Sequence, residues 1–136
     1  MVNKKLRKVV CVMATSFCLV GASIPVFASS IAFDVTVGGT GSQDPFSYKE
    51  IKTKDGDQYA YFRATYVSNT KNAIRVRSYN SRDTSIRSTS YATLSNANLG
   101  KTLSRKYNKH APGGENYHMK AEATNNRIKV KGYYCP

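Results

Sequence analysis

The stretch NYHMKAEATNNRIKVKGYY, residues 116–134, decides the fold. Tyr117, Met119, Ala121 and Ala123 alternate with His118, Lys120, Glu122 and Thr124; beyond Asn125 and Asn126, Ile128 and Val130 alternate with Lys129 and Lys131. Side chains of a strand point alternately to its two faces, so this pattern predicts two half-buried strands. Asparagine tolerates the positive φ of a two-residue turn, which predicts a β-hairpin centred on Asn125 and Asn126. In that register Thr124 faces Arg127, Ala123 faces Ile128, Ala121 faces Val130 and Tyr117 faces Tyr134, with the apolar residues on one face. On the other face Glu122 opposes Lys129, a favourable pair of about 0.2–1 kcal/mol, while Lys120 opposes Lys131 unfavourably. A slip of one residue would turn every side chain to the wrong face, so the pattern specifies its own register. The rest of the chain must cover the apolar face.

Upstream, Ile31, Phe33, Val35 and Val37 alternate with Ala32, Asp34 and Thr36, a first half-buried strand. The glycine cluster from Gly38 to Gly41 reads as a loop, since Ser42 to Pro45 follows it instead of the helix N-terminus that a phosphate cradle needs. Phe46 to Lys52 reads as a short edge strand, and Asp55-Gly56 as a hairpin-type turn before a long strand from Gln58 to Ser68. In that strand Ala60, Phe62, Ala64 and Tyr66 form the expected core face. Ala73 to Tyr79 follows with Ile74 and Val76 inward and Arg75 and Arg77 outward, and then Ser85 to Ala92 with a weak apolar face. Leu99, Leu103 and Tyr107 have the spacing of one helical stripe, but the asparagines and Gly100 among them favour a loop over Leu94–His110. Short β segments without crossover helices predict one all-β domain, a small antiparallel β-sandwich or barrel with a core rich in Ala and Tyr.

The N-terminus has a different grammar. Lys4, Lys5, Arg7 and Lys8 precede an apolar run from Val9 to Val20, and Val26-Phe27-Ala28 has the small residues of a cleavage site, the layout of a secretory signal peptide over residues 1–28. The expected secreted domain is Ser29–Pro136. The chain carries 21 basic and 8 acidic residues; the signal segment takes four basic ones, leaving 17 against 8, a net +9. Such a charge attracts polyanions. Outside a cell these are an anionic cell-wall polymer or a membrane surface, and export makes nucleic acid the weaker candidate. Cys135 is the one cysteine of the expected domain, so no internal disulfide framework exists. It reads as a small apolar residue ending the last strand, with a Cys135-linked dimer or a reactive thiol as the other readings.

Chemistry is sparse. His110 and His118, with Lys120 or Glu115, could form the acid–base pair of a small secreted ribonuclease, but their spacing does not select that reading over surface histidines. No zinc or calcium ligand set occurs, and Gly100-Lys101-Thr102 lacks the upstream glycine of a phosphate loop, Ser95 standing in its place. No catalytic residue, metal or cofactor is therefore assigned. What remains is the interleaving of Arg and Tyr on outward strand faces: Tyr59, Tyr61 and Arg63; Arg75, Arg77 and Tyr79; Arg87 and Tyr91. Guanidinium groups suit phosphates and aromatic rings suit stacking, so Arg63, Arg75, Arg77, Arg87, Tyr61 and Tyr79 are the expected polyanion-binding residues.

The closing residues, Asn116 to Glu122 followed by Val130-Lys131-Gly132-Tyr133-Tyr134-Cys135-Pro136, together with the opening Ile31–Val37 strand, resemble a family of small secreted proteins of Gram-positive bacteria. Those end in aromatic-x-Leu-Arg-Ala and Val-x-Gly-aromatic-x-Pro; Met119 and Lys120 stand here for Leu and Arg. Some of the family are bacteriocin-like. The resemblance implies export and β structure and no catalytic residue. The expected function is a secreted, non-enzymatic basic β-domain that associates with the anionic cell envelope. The rival is a secreted bacteriocin-like antimicrobial or toxin.

Overall fold

Phe33, Val35 and Val37 are buried and Ala32, Asp34 and Thr36 exposed along β1 (Ile31–Val37), as strand periodicity requires. The structure is a computed structural model and describes residues 30–38, 43–44, 49–82 and 87–136. The expected signal segment, most of the glycine cluster, Phe46 to Tyr48, and Ser85 and Ile86 lie outside the described residues. The remaining elements are β2 (Gln43–Asp44), β3 (Lys49–Ile51), β4 (Tyr59–Val67), β5 (Ala73–Asn80), β6 (Ala92–Ser95), a 3₁₀ turn (Asn96–Asn98), β7 (Thr102–Lys106), β8 (Asn116–Ala123) and β9 (Ile128–Cys135). They build two antiparallel sheets, one a half-barrel. The first sheet has the order β1-β9-β4-β7; the second has β2-β8-β5-β6, with β3 also paired to β8. The all-β class expected from the sequence, a small antiparallel β-sandwich or barrel, is the architecture found.

The hairpin is not. β8 pairs with β5 and β9 pairs with β1 and β4, so the two strands belong to different sheets and Thr124–Arg127 arches between them. The physical reason lies in the same alternation. Side by side, two apolar faces would still need a partner; in separate sheets each is buried in the core that the sheets share. Tyr117, Met119, Ala121 and Ala123 of β8 and Ile128, Val130 and Tyr134 of β9 are all buried. Among the described residues only glycines have positive φ, so Asn125 and Asn126 do not form the tight turn their identity suggests. The arch is pinned at both ends instead: the Thr124 N–H and hydroxyl both donate to the Ala73 carbonyl (3.1 and 2.9 Å), and the Lys129 N–H donates to Ser68 Oγ (2.9 Å). Glu122 consequently pairs with Arg75, and Lys129 and Lys131 with Asp34.

Four other expectations are corrected. Ala60, Phe62 and Ala64 face the core, but a β-bulge between Ala64 and Tyr66 shifts the register and leaves Tyr66 47% exposed. An extra residue in one strand reverses the side-chain alternation beyond it. The region Leu94–His110 is neither helix nor plain loop: Leu94 belongs to β6, and Thr102–Lys106 pairs along β4 as an edge strand. Leu99 is accordingly exposed, while Tyr107 is buried. Between Arg87 and Ala92 the chain makes isolated bridges at Ser88 and Thr89 before β6 begins. Asp55-Gly56 likewise joins two sheets, since β3 and β4 pair with different partners.

The sheets are joined internally by a polar contact. Ser78 Oγ, fully buried on β5, lies 2.7 Å from the Tyr107 hydroxyl and 2.6 Å from the Tyr134 hydroxyl. The Tyr134 ring stacks on Phe62 at 5.5 Å, and Tyr107 meets Tyr117 edge-on at 5.3 Å. Buried hydroxyls must be hydrogen-bonded, and this serine satisfies two tyrosines at once. At Gly132 the bulged β4 approaches β9 so closely that a Cβ would collide with the Arg63 carbonyl oxygen. Backbone cannot yield as a flexible side chain can. Gly132→Ala is expected to destabilise the fold by about 3 kcal/mol or more in a denaturant titration, at the upper end of overpacking costs.

Candidate polyanion-binding faces

The outward residues of β5 and β8 meet in register on the second sheet: Arg75 opposite Glu122, Arg77 opposite Lys120, Tyr79 opposite His118. Strand alternation places these side chains on the face away from the core, because Ile74, Val76 and Ser78 point inward. Each row has its own electrostatics. Arg75 forms an ion pair with Glu122, which is buried. Tyr79 stacks on His118 with ring centroids 5.4 Å apart. In the row between them two cations face each other, and no described carboxylate pairs with either. Like charges directly opposite are destabilising in a sheet, so this row costs stability that the fold recovers elsewhere.

Tyr91, just before β6, covers this row. Its ring centroid lies 4.9 Å from the Arg75 guanidinium carbon and 5.2 Å from that of Arg77, a cation–π contact shared by both arginines. The Arg77 Nε is buried there and has no hydrogen-bond partner among the described residues. A buried donor on a charged group that lacks an acceptor is costly.

Arg63 and Tyr61 lie elsewhere. They project from β4 on the outer face of the first sheet, on the opposite side of the sandwich, where Arg63 stands opposite Tyr133 and also has a buried, unpartnered Nε. The Tyr61 hydroxyl donates to Asp57 Oδ2 at 2.7 Å, and burial together with that bond pushes its pKa up to about 12. Arg87 is on neither face: its Nη1 donates to Glu115 Oε2 at 3.1 Å, and the same oxygen accepts from Asn80 Nδ2 at 2.6 Å. The six residues singled out from the sequence thus separate into Arg75, Arg77 and Tyr79 on one face, Arg63 and Tyr61 on the other, and Arg87 in an end cluster. Lys120 was legible as an outward residue of β8 and a neighbour of the histidines but not as the partner of Arg77, Tyr66 was expected in the core, and Tyr133 carried no signal as a surface residue. Their exposure depends on the arch and the bulge, which fix strand pairing and not periodicity. His110 is exposed in a loop, and His118 is held in its stack on Tyr79.

The described residues contain no group of three or more His, Cys, Asp and Glu placed to hold a metal, and none of their helices is long and apolar enough to cross a membrane. At the end of the sandwich Lys52 is 1% exposed; its Nζ donates to the Pro136 carbonyl at 3.3 Å and lies 5.5 Å from the Tyr107 ring centroid. Burial lowers its pKa, partly offset by Asp57 and Asp55. Cys135 is buried, and burial pushes its thiol up to about 11, which places it as the apolar terminus of β9 with a protonated sulfur at neutral pH. No protein-family model matches the chain, and no curated protein matches it significantly.

The raised thiol sets an alkaline limit. Above pH 9, the ordinary thiol value, the unfolded chain releases a proton that the folded chain keeps until about pH 11, so stability present below pH 9 is lost as pH rises across that window. Tyr61 extends the loss above pH 10, whereas Lys52, with its lowered pKa, contributes in the opposite sense. Cys135→Ala is expected to flatten the decline between pH 9 and 11 by about 1–2 kcal/mol after allowance for solvent screening, read as the midpoint of urea unfolding at each pH.

Proposed function

We propose that this protein is a secreted, non-enzymatic basic β-domain that associates with anionic cell-envelope surfaces through the outer face of its second sheet. The observation that carries the reading is the Arg77–Lys120 row: two cations set opposite each other by strand register, with no carboxylate among the described residues paired to either. Anionic groups of a wall polymer or membrane surface supply the missing counter-charge. Arg77 offers a planar donor pair already immobilised by Tyr91, so little side-chain freedom is lost on binding. Lys120 adds a point charge, and the Tyr79–His118 stack walls one side. The net +9 of Ser29–Pro136 supplies long-range attraction, which falls with salt.

The test is retention of the purified protein on isolated Gram-positive cell walls, with and without their anionic polymers, over a salt series. Retention should disappear when the polymers are removed or the salt is raised. Arg77→Ala and Lys120→Ala should each weaken it about tenfold, in keeping with roughly 1.5–3 kcal/mol for a charge-assisted hydrogen bond. Arg127→Ala, in the exposed arch, should leave it nearly unchanged. No retention at low salt would overturn the reading, and killing of intact cells at low concentration would replace a passive binder with the bacteriocin-like alternative.

A further inference from the structure

We propose that the outer face of the first sheet is a second ligand site, one that stacks the pyranose rings of an anionic polysaccharide. The inference rests on the reading above for the charge of the ligand and adds its chemical class. Register sets two rows across this face: Asp34, Lys131 and Tyr66 in one, Ala32, Tyr133 and Arg63 in the next. Tyr66 and Tyr133 are 47% and 46% exposed. The β-bulge turns Tyr66 outward, and its ring centroid lies 6.0 Å from Lys131 Nζ.

Two depressions border Lys131. One, of about 360 Å³, is lined by Ala32, Asp34, Thr65, Gly132 and Tyr133; the other, of about 370 Å³, by Tyr66 and Lys129. Both are shallow and open to solvent, so a ligand would lie along the face rather than enter a cleft. A pyranose ring has an apolar C–H face and a rim of hydroxyls. It therefore needs an exposed aromatic surface beside hydrogen-bonding groups, and here Tyr133 and Tyr66 stand near the Asp34 carboxylate and the Thr65 hydroxyl, which donates to the Lys131 carbonyl (3.3 Å) and keeps its lone pairs to accept from a sugar hydroxyl. Flexible chains without rings, such as polyphosphate, would gain nothing from the tyrosines.

The charge of the face selects an acidic sugar. Asp34 is shared by Lys129 (3.4 Å) and Lys131 (3.6 Å), two cations on one carboxylate. Arg63, with its unpartnered buried Nε, adds a further positive charge in the adjoining row. The balance of these groups is positive, so carboxylate- or phosphate-bearing sugars are favoured over neutral ones.

Titration calorimetry with two probes of matched charge, an oligogalacturonate and an inorganic polyphosphate, separates ring recognition from charge. Tyr66→Ala and Tyr133→Ala should each lower oligogalacturonate affinity about tenfold and leave polyphosphate affinity within about twofold, whereas the corresponding Phe variants retain both. Both tyrosines are half-exposed, and thermal melts establish that the variants fold. Unchanged oligogalacturonate affinity in the Ala variants, an equal loss for both probes, or polyphosphate binding without oligogalacturonate binding would overturn this proposal alone. Binding of neither probe by the unaltered protein would overturn it together with the function proposed above.

Discussion

The fold depends on β8 and β9 burying their apolar faces in the core between two different sheets. Tyr117, Met119, Ala121 and Ala123 on one strand and Ile128, Val130 and Tyr134 on the other lose nearly all solvent contact. At about 1.5–3 kcal/mol for each large side chain, that burial outweighs anything a tight turn between the two strands could contribute. The chain between them must therefore arch, and each strand takes the centre of a different sheet. β9 recruits β1 and β4; β8 recruits β5 and the short edge strands. The Ser78–Tyr107–Tyr134 hydroxyl cluster then fixes how the sheets meet, because each buried hydroxyl is satisfied only in that alignment.

This arrangement also distributes the charge. Once the inner faces are apolar, the basic residues of alternating strands have only the two outer faces to occupy. Those faces differ in kind. On the second sheet, register brings Arg77 against Lys120, and Tyr91 braces the arginines without neutralising them. On the first, two lysines share Asp34 and half-exposed tyrosines flank them. Arg87, which the sequence offers as an equal partner, is neutralised by Glu115. Geometry, more than composition, decides which cations remain available.

Strand periodicity made the inward faces legible: Ile31 to Val37, Ala60 to Ala64, Ile74 to Ser78 and both closing strands carry their burial in their alternation. Pairing was not legible, because alternation says which face is apolar and is silent about which strand lies alongside. Asn125 and Asn126 permit a tight turn but do not require one. The bulge at Tyr66 had no marker in the sequence, and β7 was masked because its edge position lets Thr102, Ser104 and Lys106 stay exposed around the half-buried Leu103. Arg75 and Arg77 were readable as outward cations. Their union with Lys120 and Tyr91 required the sheet.

The central claim is that an incoming anion takes up Arg77, a cation that no described carboxylate neutralises. The most direct measurement is the NMR signal of its Nε–H during titration with inorganic polyphosphate. On this account the Arg77 signal shifts and its exchange with water slows as binding saturates, ahead of any change at Arg87, which already holds a carboxylate. Saturable binding with the Arg77 signal unmoved would contradict the account.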